Sequence, residues 1–261
     1  MKLHRIYAMV LRFMLLFRRS YDRISDVFYW PTIDLLLWGL TSQFFRSFTP
    51  GADKILVMII TGILFWIIAW RAQYEISVNL LEDLWNENFI NIFVSPIRFS
   101  EWVSSFIVIG ILKGIISLSF AAGMAFLLYK VHIFNYGFYL LPFLFSLLLT
   151  GWWVGFFVGG LILRFGTKVQ TFAWTLVMVM SPFAAIYYPV SILPNWAQFV
   201  AKFVPPSYIF EGARSILYEG KFDSINLFYS FGLNIIYLIL GYIFLKRSFA
   251  KIMNKGMVHL Y

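Results

Sequence analysis

Cysteine is absent from this 261-residue chain, and histidine occurs only at His4, His132 and His259. The lack of cysteine excludes disulfides, thiolate nucleophiles and cysteine-based metal or iron–sulfur sites. The three histidines are far apart in the sequence, and no acidic or Ser/His/Asp grouping has a spacing typical of a metal or catalytic site. We therefore expect no metal site and no catalytic residues. A membrane-embedded enzyme is the least favoured class of function.

Charged residues are also scarce, at 13% of the chain, whereas 61% of the residues are hydrophobic. This composition is typical of an integral membrane protein. The sequence also lacks the Gly-x-x-x-x-Gly-Lys-Ser/Thr phosphate loop and any polar stretch long enough for an ATPase domain. We predict an all-α integral membrane protein that binds no cofactor itself, so that any ATP and Mg²⁺ would be bound by a separate subunit.

Residues 1–23 form a basic amphipathic segment. Read as a helix, the segment places apolar side chains such as Phe13 on one face, while Arg5, Arg12 and Arg19 recur every seven residues along a polar edge. This pattern predicts an interfacial helix attracted to anionic lipid. Contact between the basic edge and a cytoplasmic partner is the alternative.

A helix that crosses the hydrocarbon needs about 20 apolar residues. Six stretches qualify, near 25–46, 54–76, 102–129, 138–163, 169–190 and 225–246. Lysine and arginine concentrate before the first stretch, between the fourth and fifth, and after the last, which predicts cytoplasmic termini. This asymmetry accounts for the net charge of +9. Nothing in it calls for nucleic acid.

Residues 80–97, between the second and third predicted spans, are amphipathic. On a continuous helix the apolar face would hold Leu81, Leu84, Trp85, Phe89 and Ile92. The polar face would hold Asp83, Asn86, Glu87 and Asn91. Asn88 would project into the apolar face, where an unpaired amide costs about 1–3 kcal/mol, so we expect it to bond a neighbouring span or cytoplasmic loop. Such a helix can lie on the membrane and offer its polar face to a soluble partner; an interfacial helix without a partner is the alternative.

The first two external connections, around 48–53 and 130–137, are short, and the third, from about 189 to 224, is long. It contains two apolar pieces that are too short to span and are broken by prolines, which predicts a re-entrant hairpin over 190–216. Irregular backbone at membrane depth must be satisfied by protein or water, so we interpret the hairpin as the outer wall or gate of a pathway. The gate residues we predict are Pro189, Pro194, Trp196, Tyr208, Glu211 and Arg214. The last two are three residues apart, which predicts a same-face ion pair that positions the gate.

Two ionisable residues fall inside predicted spans, Asp34 in the first and Lys113 in the third. A charge near the membrane centre costs a few kcal/mol and is usually paired or hydrated. Asp34 and Lys113 are each about three turns from the inferred cytoplasmic end, so a pair between them is the favoured interpretation. In the alternative, both face the cavity and contact substrate.

Glycines at Gly151, Gly155, Gly159 and Gly160 recur at about four-residue spacing in the fourth predicted span. This small-xxx-small pattern permits close approach of another helix. Packing within the chain is favoured over a dimer seam.

These features together resemble the transmembrane subunits of ABC-2 type exporters, which include drug, lipid, teichoic acid and O-antigen polysaccharide permeases. The resemblance covers nearly the whole chain. It rests on the basic N-terminal helix, the six spans, the acidic segment that ends in Asn91, Ser95, Pro96 and Glu101, and a late pattern. That pattern consists of Pro189, Leu193, Pro194, Trp196, Pro205, Tyr208, Glu211 and Arg214.

The resemblance implies a division of labour between subunits. Residues 80–97 would be the coupling helix, seated in a cleft of an ABC ATP-binding subunit, and 190–216 would form extracellular gate helices. The residues we expect to contact the ATPase are Glu82, Asp83, Asn86, Glu87 and Ile90, the last by insertion into an apolar pocket. Two permease subunits would face each other, as a homodimer or as paired half-transporters, in a prokaryotic inner membrane.

The function indicated is that of the permease of an ATP-driven exporter for an amphiphilic, lipid-linked, drug-like or glycan substrate. The alternative is an ion-coupled secondary transporter, for which Asp34, Glu75 and Lys113 are a thin supply of coupling groups. The sequence does not discriminate among the substrates.

Overall fold

The computed structural model describes residues 1–46, 48, 53–220 and 223–255. Within these ranges all regular elements are helical. The α-helices are α1 (Leu3–Arg19), α2 (Tyr21–Arg46), α3 (Asp53–Trp85), α4 (Phe89–Val94), α5 (Phe99–Tyr129), α6 (Leu140–Phe165), α7 (Phe172–Met180), α8 (Asn195–Ala201), α9 (Pro205–Glu219) and α10 (Ser224–Lys255). Short 3₁₀ segments lie at Ile133–Tyr139, Gly166–Val169 and Val190–Ile192. Most of the predicted connection at 48–53, and His259, lie outside the described residues.

Helix α3 is the centre of the fold. Most of its side chains are buried, and it packs against α2, α5, α6, α7 and α9. Its two halves belong to two hydrophobic clusters: Ile76 and Leu80 lie in one, with Phe106 of α5, and Ile60 and Phe65 lie in the other. The clusters stabilise opposite ends of the bundle.

Four helical segments are long and apolar enough to cross a membrane. They are Lys54–Trp85, Phe99–Tyr129, Ile133–Val169 and Ser224–Asn254. They contain the second, third, fourth and sixth predicted spans. The first predicted span coincides with α2, which has the length, at 26 residues, but is less apolar because it includes several polar and aromatic residues.

The stretch 169–190, predicted as the fifth span, is not one helix. Helix α7 has nine residues and ends at Met180, so it is about 14 Å long, half the thickness of the hydrocarbon. Pro182 follows two residues later, and a proline disfavours helical backbone at the residue before it. The chain continues through turns to the 3₁₀ segment at Val190. Six continuous spans are therefore not observed.

The glycine repeat lies where α6 packs against α3 and α10. A Cβ atom at Gly151 would lie 2.4 Å from the backbone oxygen of Ala69, and one at Gly155 would lie 2.9 Å from Cβ of Ile76. Only glycine permits this separation between α6 and α3. The favoured interpretation, packing within the chain, is confirmed.

Candidate functional site

The connection between α3 and α5 is bent, not continuous. Helix α3 ends at Trp85, a turn occupies 86–88, and the six-residue α4 begins at Phe89. Glu87 has a φ of 53°, in the left-handed region that L-residues seldom adopt. The prediction of one helix over 80–97 is therefore wrong. The asparagines on either side of Glu87 favour turns because their amides compete for backbone hydrogen bonds.

Asn88 has two polar partners inside this turn. Its Nδ2 donates to Oδ1 of Asp83 over 3.1 Å, and its Oδ1 accepts from Nδ2 of Asn91 over 3.1 Å. The amide is therefore paired within 80–97 itself, and not with a neighbouring span or loop as predicted. The bonds link the end of α3 to α4 and fix the shape of the turn.

The five predicted coupling residues divide into two groups. Asn86, Glu87 and Ile90 are exposed, and Ile90 keeps 49% of its surface. Asp83 is 1% exposed, so its predicted place on an open polar face is wrong. Glu82 is only partly exposed. The physical reason is the proximity of arginines on two other helices: Arg12 of α1 pairs with Asp83, and Arg23 of α2 pairs with Glu82.

Helix α1 is held against the same connection by further polar contacts. Arg5 donates to the backbone oxygen of Pro96 and lies 3.4 Å from Oε2 of Glu101. The backbone nitrogen of Lys2 donates to Oε1 of Glu101 over 2.7 Å. Arg5 and Arg12, which belong to the basic edge that was predicted to face lipid, are thus paired with Glu101 and Asp83 of the same chain. Arg19 is exposed.

The exposed residues of this region form a mixed polar and apolar patch, the connection surface. It consists of Trp85, Asn86, Glu87, Ile90, Asn91 and Val94. Val94 is 83% exposed, and Trp85, which was predicted to lie on the apolar face, is 47% exposed. Adjacent exposed apolar side chains rimmed by polar ones are typical of protein or membrane interaction sites.

Four charged residues pair with one another inside the bundle, and we call them the buried charge cluster: Asp26 of α2, Arg71 and Glu75 of α3, and Lys113 of α5. Arg71 Nη1 lies 2.8 Å from Asp26 Oδ2 and 3.6 Å from Glu75 Oε1. Lys113 Nζ donates to Glu75 Oε2 over 2.6 Å. Two cations and two anions make the cluster neutral, which lowers the cost of burying its charges.

The favoured pairing of Asp34 with Lys113 is therefore wrong, because Glu75 is the partner of Lys113. Asp34 is half-buried on α2 and faces a cavity beside α3. Neither Arg71 nor Asp26 was predicted from the sequence to belong to a site. A usable signal existed: Arg71 and Glu75 are four residues apart in an apolar run, the spacing of an ion pair on one helix face.

The predicted gate segment, 190–216, contains two helices. Helices α8 and α9 are joined by residues 202–204. Pro194 immediately precedes α8, and Pro189 immediately precedes the 3₁₀ segment. Pro205 opens α9, where its missing N–H removes no helical hydrogen bond. The prolines thus define the ends of the short elements. That this segment forms a hairpin that re-enters the membrane from outside stays a prediction.

The two aromatic gate residues lie at the surface of this segment. Trp196 is 65% exposed, and its ring meets that of Phe183 edge to face, with the centroids 5.9 Å apart. The Tyr208 hydroxyl donates to the backbone oxygen of Lys202 over 2.9 Å. Tyr208 therefore fastens α9 to the turn that joins it to α8.

The predicted pair of Glu211 and Arg214 is confirmed, with 2.8 Å between Oε1 and Nη1. Arg214 is 7% exposed, so this is not a solvent-exposed pair. Its Nη2 also donates to the backbone oxygens of Ala185 and Tyr188, the latter over 2.8 Å. Arg214 thus holds the turns after α7 against α9, and we call these contacts the Arg214 clamp.

A comparison with known protein families shows to which family the chain belongs. The model of the ABC-2 type transporter family matches residues 5–218. The chain belongs to the ABC-2 type transporter family. It is a membrane-embedded permease of ABC transport, as the resemblance implied. No individually curated protein matches the chain. The match covers α1 to α9, and therefore includes the connection surface, the buried charge cluster and the Arg214 clamp.

Proposed function

We propose that this chain is the permease subunit of an ATP-driven exporter in a prokaryotic inner membrane, with both termini in the cytoplasm. The substrate would be an amphiphilic, lipid-linked, drug-like or glycan molecule. The connection surface carries the proposal, because its short turn exposes Trp85, Ile90 and Val94 beside polar residues and so offers a surface suited to a protein partner. An ABC ATP-binding subunit, which would hold the ATP and Mg²⁺, is the partner that family membership supports.

The contact would rest on Asn86, Glu87 and Ile90, and less on Glu82 and Asp83. The last two have intramolecular partners in Arg23 and Arg12. We propose that Glu82 and Asp83 transmit force: a push on α4 would reach α1 through Arg12 and α2 through Arg23. The 33-residue α3 would carry the same displacement along the bundle.

We further propose that two such chains face each other as a homodimer. The crossing elements would be the four apolar segments with α2 and the region of α7 to α9. Pairing with a different half-transporter is the other arrangement. The buried charge cluster favours the exporter over an ion-coupled transporter, because its four charges already satisfy one another.

Co-purification from the native membrane tests the proposal. The intact chain, the double variant Glu87→Lys/Ile90→Asp and the control Ile225→Asp would be isolated in mild detergent, and bound proteins identified by mass spectrometry. Ile225 is a matched control because it is 62% exposed but lies at the start of α10, far along the chain from α4.

We expect a stoichiometric nucleotide-binding subunit with the intact chain and the control, and at least a tenfold loss with the double variant. Recovery of no nucleotide-binding subunit, under conditions that preserve other transporter complexes, would overturn the exporter proposal in favour of an ion-coupled transporter. Equal recovery with the double variant would remove the connection surface as the docking site.

A further inference from the structure

A cavity of about 110 Å³ lies between α2, α3 and the turns after α7. Three tryptophans and a tyrosine contribute to its wall, and Asp34 is the one ionisable acid or base among the lining residues other than that tyrosine. The residues that matter here are Trp30, Asp34, Trp66, Trp70 and Tyr187. The function proposed above assigns no role to this cavity.

The spacing of these residues shows how the helices build the wall. On α2, Trp30, Asp34 and Trp38 follow one another at intervals of four, so they lie along one helix face. On α3, Trp66 and Trp70 have the same spacing. Tyr187 is oriented by its ring, which stacks on Trp38 with 4.3 Å between the centroids.

Asp34 differs from the acids of the buried charge cluster because its carboxylate has no hydrogen-bond or ion-pair partner within the described residues. Asp26 and Glu75 are each bonded to a cation. A lone carboxylate in an apolar setting is costly, and such residues in membrane proteins commonly mark ligand or ion pathways. A partner for Asp34 would therefore have to carry a positive charge.

The aromatic wall favours an organic cation over a metal ion. Tryptophan and tyrosine rings attract ammonium groups through their quadrupoles, and an aromatic cage is a known way to bind quaternary ammonium. One such contact already exists here, since the guanidinium of Arg71 lies 4.8 Å from the centroid of Trp70. The charge of Arg71 is balanced by Asp26 and Glu75, so it does not cancel the attraction at Asp34.

Size and polarity narrow the ligand further. A dry cavity of roughly 150 Å³ accepts a benzene ring, so 110 Å³ suits a compact methylated ammonium head and is small for a sugar ring. The indole N–H of Trp70 is buried and has no hydrogen-bond partner, so it can donate to an acceptor near that head. Trp30 is 47% exposed, which allows the remainder of an amphiphile to extend outward at that side.

We propose that this cavity binds the quaternary or tertiary ammonium head of an amphiphilic cation, with Asp34 as the counter-charge and the rings of Trp30, Trp66, Trp70 and Tyr187 as the cage. The claim that this cavity is the substrate site of the exporter rests on the function proposed above. The claim that the cavity binds such a cation does not.

Equilibrium binding to the purified full-length chain in lipid nanodiscs tests the proposal without an ATPase. The probe is radiolabelled benzyltrimethylammonium, and the competitor is neopentylbenzene, its neutral isostere with a tert-butyl group in place of trimethylammonium. The variants are Asp34→Asn, Asp34→Glu and the control Asp22→Asn, which removes an exposed carboxylate from the first turn of the same helix.

We expect saturable binding to the intact chain, at least a tenfold weaker affinity in Asp34→Asn, and no change in Asp22→Asn. Asp34→Glu should retain binding within about threefold, which separates loss of charge from loss of fold. Equal affinity in Asp34→Asn, or displacement by the neutral isostere as effective as by the unlabelled cation, would overturn the proposal. If an ATPase co-purifies but the cation does not bind, this inference fails alone; if the cation binds but no ATPase is found, the exporter proposal fails alone.

Discussion

The two sides of α3 are packed in different ways. Toward α6 the helices are so close that glycines at 151 and 155 leave no space for a methyl group. Toward α2 and Tyr187 the same helix leaves a cavity of about 110 Å³ and an acid, Asp34, that has no partner among the residues the structure describes. The closed side has the features of a rigid seam, and the open side has those of a binding site. If α3 served only to stabilise the fold, it would not need both a rigid seam on one side and a binding site on the other.

The largest expected effect concerns the buried charge cluster. Lys113→Met should destabilise the protein by about 3–5 kcal/mol, because it leaves Glu75 buried beside a single, shared cation. Thermal unfolding in nanodiscs would measure the loss. The double variant Lys113→Met/Glu75→Gln, which removes both charges, should recover at least half of it. A double variant no more stable than the single one would contradict the pairing.

The Arg214 clamp connects α9 to the wall of the cavity, since Ala185 and Tyr188 flank Tyr187 in the chain. Arg214→Met should cost about 1.5–3 kcal/mol, the loss of hydrogen bonds from a charged donor. It should also weaken binding of the cation probe, although Arg214 does not line that cavity. If the variant folds and binds the probe with unchanged affinity, the clamp does not help to position the cavity wall.

On the closed side, Gly151→Ala should destabilise by about 1–3 kcal/mol through overpacking against Ala69 and Ala72. Gly123→Ala is the matched control, because a Cβ there meets nothing within 4 Å. The control should be neutral or stabilising by up to about 1 kcal/mol, since alanine is the better helix former. Equal effects at both glycines would mean that the seam is not rigid.

The smallest stability effect should come from Asp34→Asn. The substitution removes a charge that has no partner among the described residues. The free energy of unfolding should therefore fall by no more than about 0.5 kcal/mol, or rise. Its measurable loss should be confined to cation binding. A destabilisation as large as that of Lys113→Met would show that Asp34 has a structural partner and would remove the contrast between the two sides of α3.

Local sequence patterns predicted much of the site correctly. The spacing of Glu211 and Arg214 gave their ion pair, and the glycine repeat gave the seam with α3. Both depend on side chains within one turn of a helix or on the size of one residue. The prediction for 80–97 failed where contacts came from other helices and where the helix ended. Asp83, which precedes the turn, is buried because Arg12 of α1 pairs with it, and α3 ends at Trp85.

The sequence by itself determined that this is a helical membrane protein of the ABC-2 type, that it carries no phosphate loop, and that a few ionisable groups lie within apolar stretches. The ABC-2 assignment follows from the resemblance over nearly the whole chain, and the other conclusions follow from composition and from short-range order. Only the tertiary structure decided that Lys113 pairs with Glu75, that Arg12 covers Asp83, and that Asp34 is left facing a cavity of aromatic rings. The reason is physical: a pair across helices depends on which helices are neighbours and on their relative heights, and neither is encoded in the spacing along one helix.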